Sequence, residues 1–205
     1  MANLDAIYED ALAKLEERLT QYRLIHSLST SDIATLLAEV YDVNPDHARL
    51  AGLLHDWDKA YSNEELLARA QRYGIDMGCE QKKLIPLLHA ETGACAVQEE
   101  YPNLPQEITQ AIARHTSAAL DMSPLDMVVY IADMIEPLRT ASHLAWLRRL
   151  AGNVSLEELF AACYRETVER LIRRRRHLHP GTAEIWNTYV ATAHEAETSG
   201  FSNKV

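Results

Sequence analysis

Apolar residues recur every three or four positions along most of the chain, which is the spacing of an amphipathic α-helix. The first such stretch runs from Leu4 to Leu19, and the second runs from about Tyr22 to Tyr41. No alternation of apolar and polar residues continues long enough to predict a β-strand. The pattern therefore predicts an all-α fold.

Capping residues and prolines predict where the later helices begin. Asn44-Pro45 and Ser123-Pro124 each place an N-cap residue before a proline that fits the first helical turn. Ser62 and Ser155 are each followed three residues later by glutamate, which predicts a capping box at both positions. The later helices are predicted over about residues 44–57, 62–73, 86–100, 105–115, 123–136 and 137–150, then from 155 to the run Arg173–Arg176, and over 182–198.

The composition supports a helical domain. The chain has 205 residues, of which 47% are apolar, so it can bury a sizeable core. It has only 7 glycines and 7 prolines, whereas a β-sandwich or barrel needs many tight turns. We expect one domain over residues 1–205, with a core of about residues 20–140 and C-terminal helices of about residues 140–198 packed on it.

The formal net charge is −10, from 20 lysines and arginines against 30 aspartates and glutamates. Such a surface repels nucleic acid and anionic lipid, so neither nucleic acid nor a membrane is expected as a partner. No segment has the pattern of a signal peptide or the length of an apolar membrane span, so we expect a cytoplasmic protein. The sequence leaves open whether the chain is a monomer or a homodimer.

The first candidate for chemistry is the pair His55-Asp56, which directly follows an apolar helical stretch. Histidine supplies a neutral nitrogen to a divalent metal, and aspartate supplies an anionic oxygen that can bridge two metals. For an isolated pair of this kind, a helix cap at the surface is the simpler interpretation. Here the preceding residues favour burial, and a nearby cation would offset the cost of burying a carboxylate.

Four other residues share this placement within or directly after an apolar helical stretch: His26, His89, His115 and Asp133. Each alone is more often an ordinary core or rim residue than a ligand. Together with His55-Asp56 they make four histidines and two aspartates, and packed helices can bring such residues around one metal centre. The sequence therefore favours a metal site, while the spacing alone leaves their convergence open.

The order of these residues resembles that of the HD-domain metal-dependent phosphohydrolases, and the inserted His89 and His115 match the subset that holds two metals. Longer segments are similar to the YqeK-type family, the bacterial HD-domain symmetrical diadenosine tetraphosphate hydrolases. The segments are Arg23-x-x-His26-Ser27, Ala51-Gly52-Leu53-Leu54-His55-Asp56-x-x-Lys59, Leu87-Leu88-His89, Ala111-Ile112-x-x-His115-Thr116, Tyr130-Ile131-Ala132-Asp133-x-Ile135-Glu136-Pro137-x-Arg139 and Leu178-His179-Pro180-x-Thr182.

The resemblance implies a helical HD fold around a di-iron centre in which Asp56 bridges the two metals. It implies that a small-molecule dinucleoside polyphosphate, diadenosine tetraphosphate, is split symmetrically into two ADP. The attacking group would be a metal-bound hydroxide, and its target would be an inner phosphorus. The implied ligands are His26, His55, Asp56 and Asp133 on one metal and His89 and His115 on the other.

The resemblance also implies roles around the metals. The implied catalytic residues are Asp56, Lys59, His89 and His115. The implied substrate-binding residues are Arg23, His26, Lys59, His89, His115, Thr116, Asp133, Arg139, His179 and Thr182. Lys59 and Arg139 would neutralise phosphate charge, although without the resemblance they are ordinary helix-end cations. Asp58, next to Lys59, is expected either to pair with Lys59 or to turn outward.

Other functions remain open at this stage. A nucleotidase or another nucleotide phosphohydrolase of the same superfamily is the first alternative, and a helical adaptor that has lost the activity is the second. The run Arg173–Arg176 is most simply explained by the helix dipole, which favours cations at a helix C-terminus. The same run can also strengthen a positive potential near a phosphate site.

Overall fold

The structure is a computed structural model that describes residues 3–76 and 82–192, and these residues form helices and turns without a strand. The α-helices are, in chain order, α1 (Leu4–Arg18), α2 (Gln21–Val40), α3 (Pro45–Leu54), α4 (Asn63–Arg72), α5 (Leu88–Glu100), α6 (Gln106–Arg114), α7 (Pro124–Ile135), α8 (Ala145–Leu150), α9 (Leu156–Arg173) and α10 (Thr182–Ile185). Short 3₁₀ segments cover Lys82–Leu87 and Ser142–Leu144, and a π-helical turn covers Trp186–Ala191. None of these described helices is long and apolar enough to cross a membrane.

The four helix starts predicted from Asn44, Ser62, Ser123 and Ser155 are confirmed by their capping contacts. Asn44 accepts hydrogen bonds from two backbone N–H groups at the start of α3. Ser62 and Ser155 each form the predicted capping box with the glutamate three residues later. Ser123 caps α7, and Asp126 completes a capping box there as well. Local side-chain hydrogen bonds to free N–H groups therefore define these boundaries.

Two predicted helix boundaries are wrong. The helix predicted over residues 44–57 ends at Leu54, and tight turns that include a hydrogen bond from Trp57 N to Leu54 O follow it. The helix predicted over residues 137–150 begins only at Ala145, because Glu136 leaves the helical region before Pro137. Residues 193–198 of the last predicted helix lie outside the described residues. The described residues do not cover the whole chain, so a single domain over residues 1–205 stays a prediction.

Helix α7 lies at the centre of the core. Nine of its twelve residues are buried, and it packs against α2, α3, α6 and α9. Helices α2 and α3 pack against each other more extensively than any other pair, and Gly52 lies at their closest approach. A Cβ atom on Gly52 would lie 2.8 Å from the Cα atom of Ser31. The glycine therefore sets the distance between α2, which carries His26, and α3, which His55 directly follows.

Candidate metal centre

The structure brings the six predicted metal ligands together from five helices. His26 lies in α2, His89 lies in the first turn of α5, and Asp133 lies in the last turn of α7. His55 and Asp56 directly follow α3, and His115 directly follows α6. All six are buried except Asp133, whose side chain is 21% exposed.

Three of the imidazole rings are oriented by the same local contact. The Nδ1 atoms of His55, His89 and His115 lie 2.5–2.7 Å from the backbone carbonyl oxygen three residues earlier. Carbonyl groups at helix ends lack an intrahelical partner, so His55 and His115, each just past a helix end, can donate to them. The partner of His89 is Pro86, in the 3₁₀ segment before α5. With its proton on Nδ1, each neutral ring keeps a lone pair on Nε2 for a metal.

His26 is oriented by a carboxylate instead. Its Nδ1 lies 3.1 Å from Oε1 of Glu136, a fully buried residue whose Oε2 accepts a hydrogen bond from the backbone N–H of Leu138. Glu136 was not among the predicted site residues. The available signal was a carboxylate directly after the apolar stretch of α7, in a segment already quoted for the resemblance.

The free nitrogen atoms point at one another in pairs. Nε2 of His26 lies 3.2 Å from Nε2 of His55, and Nε2 of His89 lies 3.2 Å from Nε2 of His115. Asp56 belongs to both ligand groups, which are His26 with His55 and Asp56, and Asp56 with His89 and His115. Asp56 is thus placed where a bridging carboxylate would be needed.

Asp133 completes the first of these groups. Its Oδ1 lies 2.9 Å from Nε2 of His26 and 3.7 Å from Nε2 of His55. The same oxygen accepts a hydrogen bond of 2.5 Å from Nη2 of Arg139. Asp133 therefore connects the metal ligands to a cation at the edge of the cluster.

The protonation of two of the imidazoles, those of His55 and His115, suits metal binding. Burial lowers the pKa of His55. Burial, reinforced by His55 and His89, lowers the pKa of His115 to about 3. His55 and His115 are therefore neutral near pH 7 and can donate a lone pair.

The carboxylates are ionised for a complementary reason. Burial alone would raise the pKa of Asp56, but His55 and His89 outweigh it and hold this pKa well below its usual value. Burial likewise opposes ionisation of Asp133, and its hydrogen bond with His26 and the charge of Arg139 hold its pKa well below the usual range. The cluster thus presents two anionic oxygens among its imidazoles.

This donor set fits two divalent metal ions. Paired Nε2 lone pairs at 3.2 Å repel each other unless a cation lies between them, and imidazole with carboxylate is a common ligand combination for transition metals. A cation already contacts one ring, because Nζ of Lys59 lies 3.0 Å from Nε2 of His89. The arrangement supports the coarser prediction of a di-metal centre, and the identity of the metal is a separate question.

Replacing Glu136 by glutamine is expected to weaken metal binding by roughly 10–100-fold, as for other residues that orient a histidine ligand. The amide keeps the shape of the side chain but holds the proton on Nδ1 of His26 less strongly. Titration of the metal-free protein with a divalent cation would measure the loss. Glu107→Gln, at an exposed glutamate that contacts His47, is the matched control and should leave the affinity unchanged.

Two predicted substrate-binding cations contact Asp56. Nη1 of Arg23 lies 3.2 Å from Oδ2 of Asp56, and Nζ of Lys59 lies 3.6 Å from Oδ1. Both side chains are partly exposed, at 36% and 28%. Each therefore brings a partly exposed positive charge to a buried carboxylate.

Asp58 follows neither of the two expectations stated for it. Its fully buried carboxylate accepts two hydrogen bonds from Arg69 of α4, at 2.7 and 3.1 Å. Arg18 of α1 lies 3.7 Å away and stacks on the ring of Trp57, 4.6 Å from its centroid. Asp58 therefore fixes the turn after the HD pair, and its charge is neutralised away from Lys59.

Replacing Arg69 by methionine is expected to destabilise the protein by about 2 kcal/mol, because it leaves Asp58 buried with only the more distant Arg18. Arg72→Met is the matched control on the same helix. Arg72 pairs with Glu99 at the surface, where its side chain is 61% exposed, so its loss should cost at most about 0.5 kcal/mol. Urea unfolding of both variants measures the difference, and equal losses would contradict this role of Asp58.

A cavity of about 500 Å³ lies beside the cluster. Of the predicted substrate-binding residues, those on its wall are His115, Thr116, Asp133, Arg139, His179 and Thr182. The others, Arg23, His26, Lys59 and His89, do not line the cavity and belong to the metal cluster and its surroundings. The structure thus divides the predicted substrate-binding residues into two neighbouring sets.

Arg148 is a positioning residue that the sequence did not reveal. Its guanidinium donates to the backbone oxygens of Ile135, Glu136 and Arg139 at 2.7–2.9 Å. These carbonyls follow the end of α7, where the chain leaves the helix before Pro137. Arg148 therefore supports the segment that carries both Glu136 and Arg139.

Comparison with known proteins shows the family of this chain. Residues 23–138 match the HD domain family. The symmetrical bis(5'-nucleosyl)-tetraphosphatase of Bacillus subtilis (strain 168) is 31% identical over 188 residues, which cover 89% of this chain and 97% of that protein. The protein of the same name from Staphylococcus aureus is 30% identical over 88% of this chain and 93% of its own length.

A solved structure shows the same fold. It is a crystal structure from Clostridium acetobutylicum, described as a predicted HD superfamily hydrolase involved in NAD metabolism. It matches with a TM-score of 0.85 at 29% identity, over 90% of this chain and 97% of that chain. The predicted fold class and family are therefore confirmed. The chain belongs to the HD domain family, as a phosphohydrolase related to the symmetrical bis(5'-nucleosyl)-tetraphosphatases.

Proposed function

We propose that this protein splits diadenosine tetraphosphate symmetrically into two molecules of ADP. The observation that carries the proposal is that His115 and Asp133 belong both to the ligand cluster and to the wall of the adjacent cavity. A polyphosphate held in this cavity lies next to the metal ligands. The Bacillus and Staphylococcus relatives, which are symmetrical tetraphosphatases, support the choice of substrate.

In the proposed reaction, water adds to one inner phosphorus and the bond from that phosphorus to the central bridging oxygen breaks. Each half then leaves as ADP. Two bound divalent cations supply Lewis acidity to phosphoryl oxygens and lower the pKa of water. Phosphoryl transfer depends on positioning and charge neutralisation, so the main task of the side chains is to hold the phosphate chain in place.

Arg139 is suited to bind a phosphate next to the ligands. Its Nε donates to the backbone oxygen of Asp133 at 2.6 Å, and its Nη2 donates to the carboxylate of the same residue. These two contacts fix the plane of the guanidinium. Among the described residues, Nη1 has no hydrogen-bond partner, so it remains the group that can donate to a phosphate oxygen.

His179 adds a neutral donor to the cavity wall. Its Nδ1 accepts a hydrogen bond of 3.2 Å from the backbone N–H of Gly181, so the proton of the neutral ring lies on Nε2. Burial lowers the pKa of His179, which favours this neutral form. With the hydroxyls of Thr116 and Thr182, it supplies hydrogen-bond donors on the same wall.

For the catalytic roles we keep the set implied by the resemblance, namely Asp56, Lys59, His89 and His115. We propose iron as the metal, with two ions per chain. The donor set supports a transition metal and also suits manganese, cobalt or zinc. Elemental analysis of anaerobically purified protein should find two iron atoms per chain, and stoichiometric zinc without iron would exclude the proposed metal.

Product chromatography tests the proposed activity. Metal-loaded protein should convert diadenosine tetraphosphate into ADP as the only product. Formation of ATP and AMP would contradict the symmetrical split. If a sample with two metal ions bound per chain does not hydrolyse diadenosine tetraphosphate, this compound is not the substrate.

A nucleotidase or other nucleotide phosphohydrolase is the second candidate, favoured by the description of the Clostridium protein as involved in NAD metabolism. The two candidates differ in the substrate with the highest kcat/KM. A panel of nucleoside mono-, di- and triphosphates beside diadenosine tetraphosphate therefore separates them. A higher kcat/KM for any mononucleotide would favour the second candidate.

A further inference from the structure

The cavity wall carries four basic side chains in addition to Arg139, the one next to the metal ligands. Its described lining residues include five basic side chains and one carboxylate, although the whole chain has 20 basic and 30 acidic residues. The basic residues are Lys83, Arg139, Arg170, Arg174 and Arg176. The carboxylate, Asp133, is already paired with Arg139. The cavity therefore favours a polyanion in an otherwise acidic protein.

Three of these cations come from the end of α9 and the turn after it. Arg170 and Arg174 are four residues apart and thus lie on one face of the helix end, beside Thr167 and Leu171 on the same wall. Arg176 follows in the turn. Among the described residues, no carboxylate pairs with Arg170, Arg174 or Arg176, so their charges are not neutralised by this part of the chain.

The turn after α9 places Arg174 and Arg176 on the cavity wall but leaves Arg173 and Arg175 off it. Arg175 has a φ of 52°, in the left-handed region that usually favours glycine. Arg175 N donates to Ile172 O, and Arg176 N donates to Leu171 O, each at 2.9 Å, so the chain reverses as in a Schellman turn. Arg176 lines the cavity after this reversal, whereas Arg175 does not.

The other arginine of the run that does not line the cavity is Arg173. It pairs with Glu166 at 2.8 Å and with Glu169 at 3.5 Å. The run Arg173–Arg176 therefore contains two cations on the cavity wall and two cations elsewhere, within four consecutive residues.

We propose that Arg170, Arg174 and Arg176 form a second polyphosphate subsite, the arginine subsite, which binds the two phosphates of the departing ADP. The inference rests on the proposed function. The metal ligands and Arg139 hold the attacked half of the substrate, and the arginine subsite holds the other half. Diadenosine triphosphate, when attacked at its second phosphorus, leaves only one phosphate on the departing side and so forms fewer of these contacts.

Binding of inorganic tripolyphosphate tests the arginine subsite without any need for turnover. We expect the double variant R174Q/R176Q to weaken this binding by about 100-fold, at about tenfold for each lost charge-assisted contact. The double variant R173Q/R175Q removes the same charge from the same run and should weaken binding by at most about threefold. Calorimetric titration at low salt measures both, and thermal unfolding verifies that both variants are folded.

The outcomes separate the subsite from the proposed substrate. Equal weakening by the two double variants would overturn the arginine subsite, because overall charge would then explain the effect. Unchanged binding in R174Q/R176Q would overturn it as well. If R174Q/R176Q alone loses binding while the native protein fails to hydrolyse diadenosine tetraphosphate, the subsite stands and the proposed substrate falls.

Selectivity between substrates gives a second test. R174Q/R176Q should lower the ratio of kcat/KM for diadenosine tetraphosphate to that for diadenosine triphosphate by about tenfold or more. R173Q/R175Q should keep the native ratio. An equal loss for both substrates in R174Q/R176Q would show that the arginines do not select for the number of phosphates.

Discussion

Replacing Asp56 by asparagine is expected to release both metals and to lower kcat on the order of 10³-fold or more. Oδ1 of Asp56 lies 3.1 Å from Nε2 of His89, 3.7 Å from that of His55 and 3.8 Å from that of His115. Asparagine keeps the shape of the side chain but removes the only charge that both ligand groups share. Metal content per chain and kcat should therefore fall together.

The matched control is Asp121→Asn. Asp121 is an exposed carboxylate that pairs with Arg114, so its replacement should leave metal content and kcat unchanged. A D56N protein that keeps one metal at full occupancy would show that Asp56 does not serve both groups. In that case the neighbouring Asp133 would be the more important carboxylate.

Replacing Gly52 by alanine is expected to destabilise the protein by about 3 kcal/mol and to weaken metal binding as well. The new Cβ atom would lie 2.8–3.0 Å from backbone atoms of Thr30 and Ser31 in α2, which cannot move aside as a flexible side chain can. Helices α2 and α3 would have to separate, and the pairing of His26 with His55 at 3.2 Å would be lost. Urea unfolding and metal titration measure the two effects.

Gly93→Ala is the control for this substitution. Gly93 also lies in a helix, α5, and packs against the turn that follows His55-Asp56. A Cβ there would lie 3.5 Å from Asp58 N and 3.6 Å from Cβ of Trp57, which are ordinary contact distances. The better helix propensity of alanine should leave stability unchanged or raise it by up to about 1 kcal/mol. If Gly52→Ala behaves in the same way, the close approach of α2 and α3 does not set the site.

The sequence predicted most helices and selected the six ligand candidates that the structure brings together, because these signals are local. Capping boxes act within four residues, and a histidine or aspartate in an apolar helical stretch is visible without knowledge of the fold. The end of α3 was missed because apolar residues continue past it. Trp57 is buried although it lies in a turn, so the periodic pattern does not stop where the helix does.

The remaining parts of the site depend on contacts that sequence spacing does not encode. Asp58 is neutralised by Arg69 and Arg18, which lie on different helices, whereas the adjacent Lys59 turns to His89. Glu136 reaches His26 across 110 residues of sequence. Such pairings follow from tertiary packing. The sequence therefore indicates which residues are candidates for the site, but not which residues they contact.

The position of His55, His89 and His115 at helix ends links metal occupancy to the thermodynamics of folding. Nδ1 of each ring contacts the backbone carbonyl oxygen three residues earlier, and Nε2 faces the cluster. Local unfolding of these residues would therefore remove a ligand from the cluster. A metal that binds only the folded state adds about 2.7 kcal/mol of stability at a free concentration of 100 times its Kd. The supply of metal in the cell would thus govern the lifetime of the folded chain as well as its turnover.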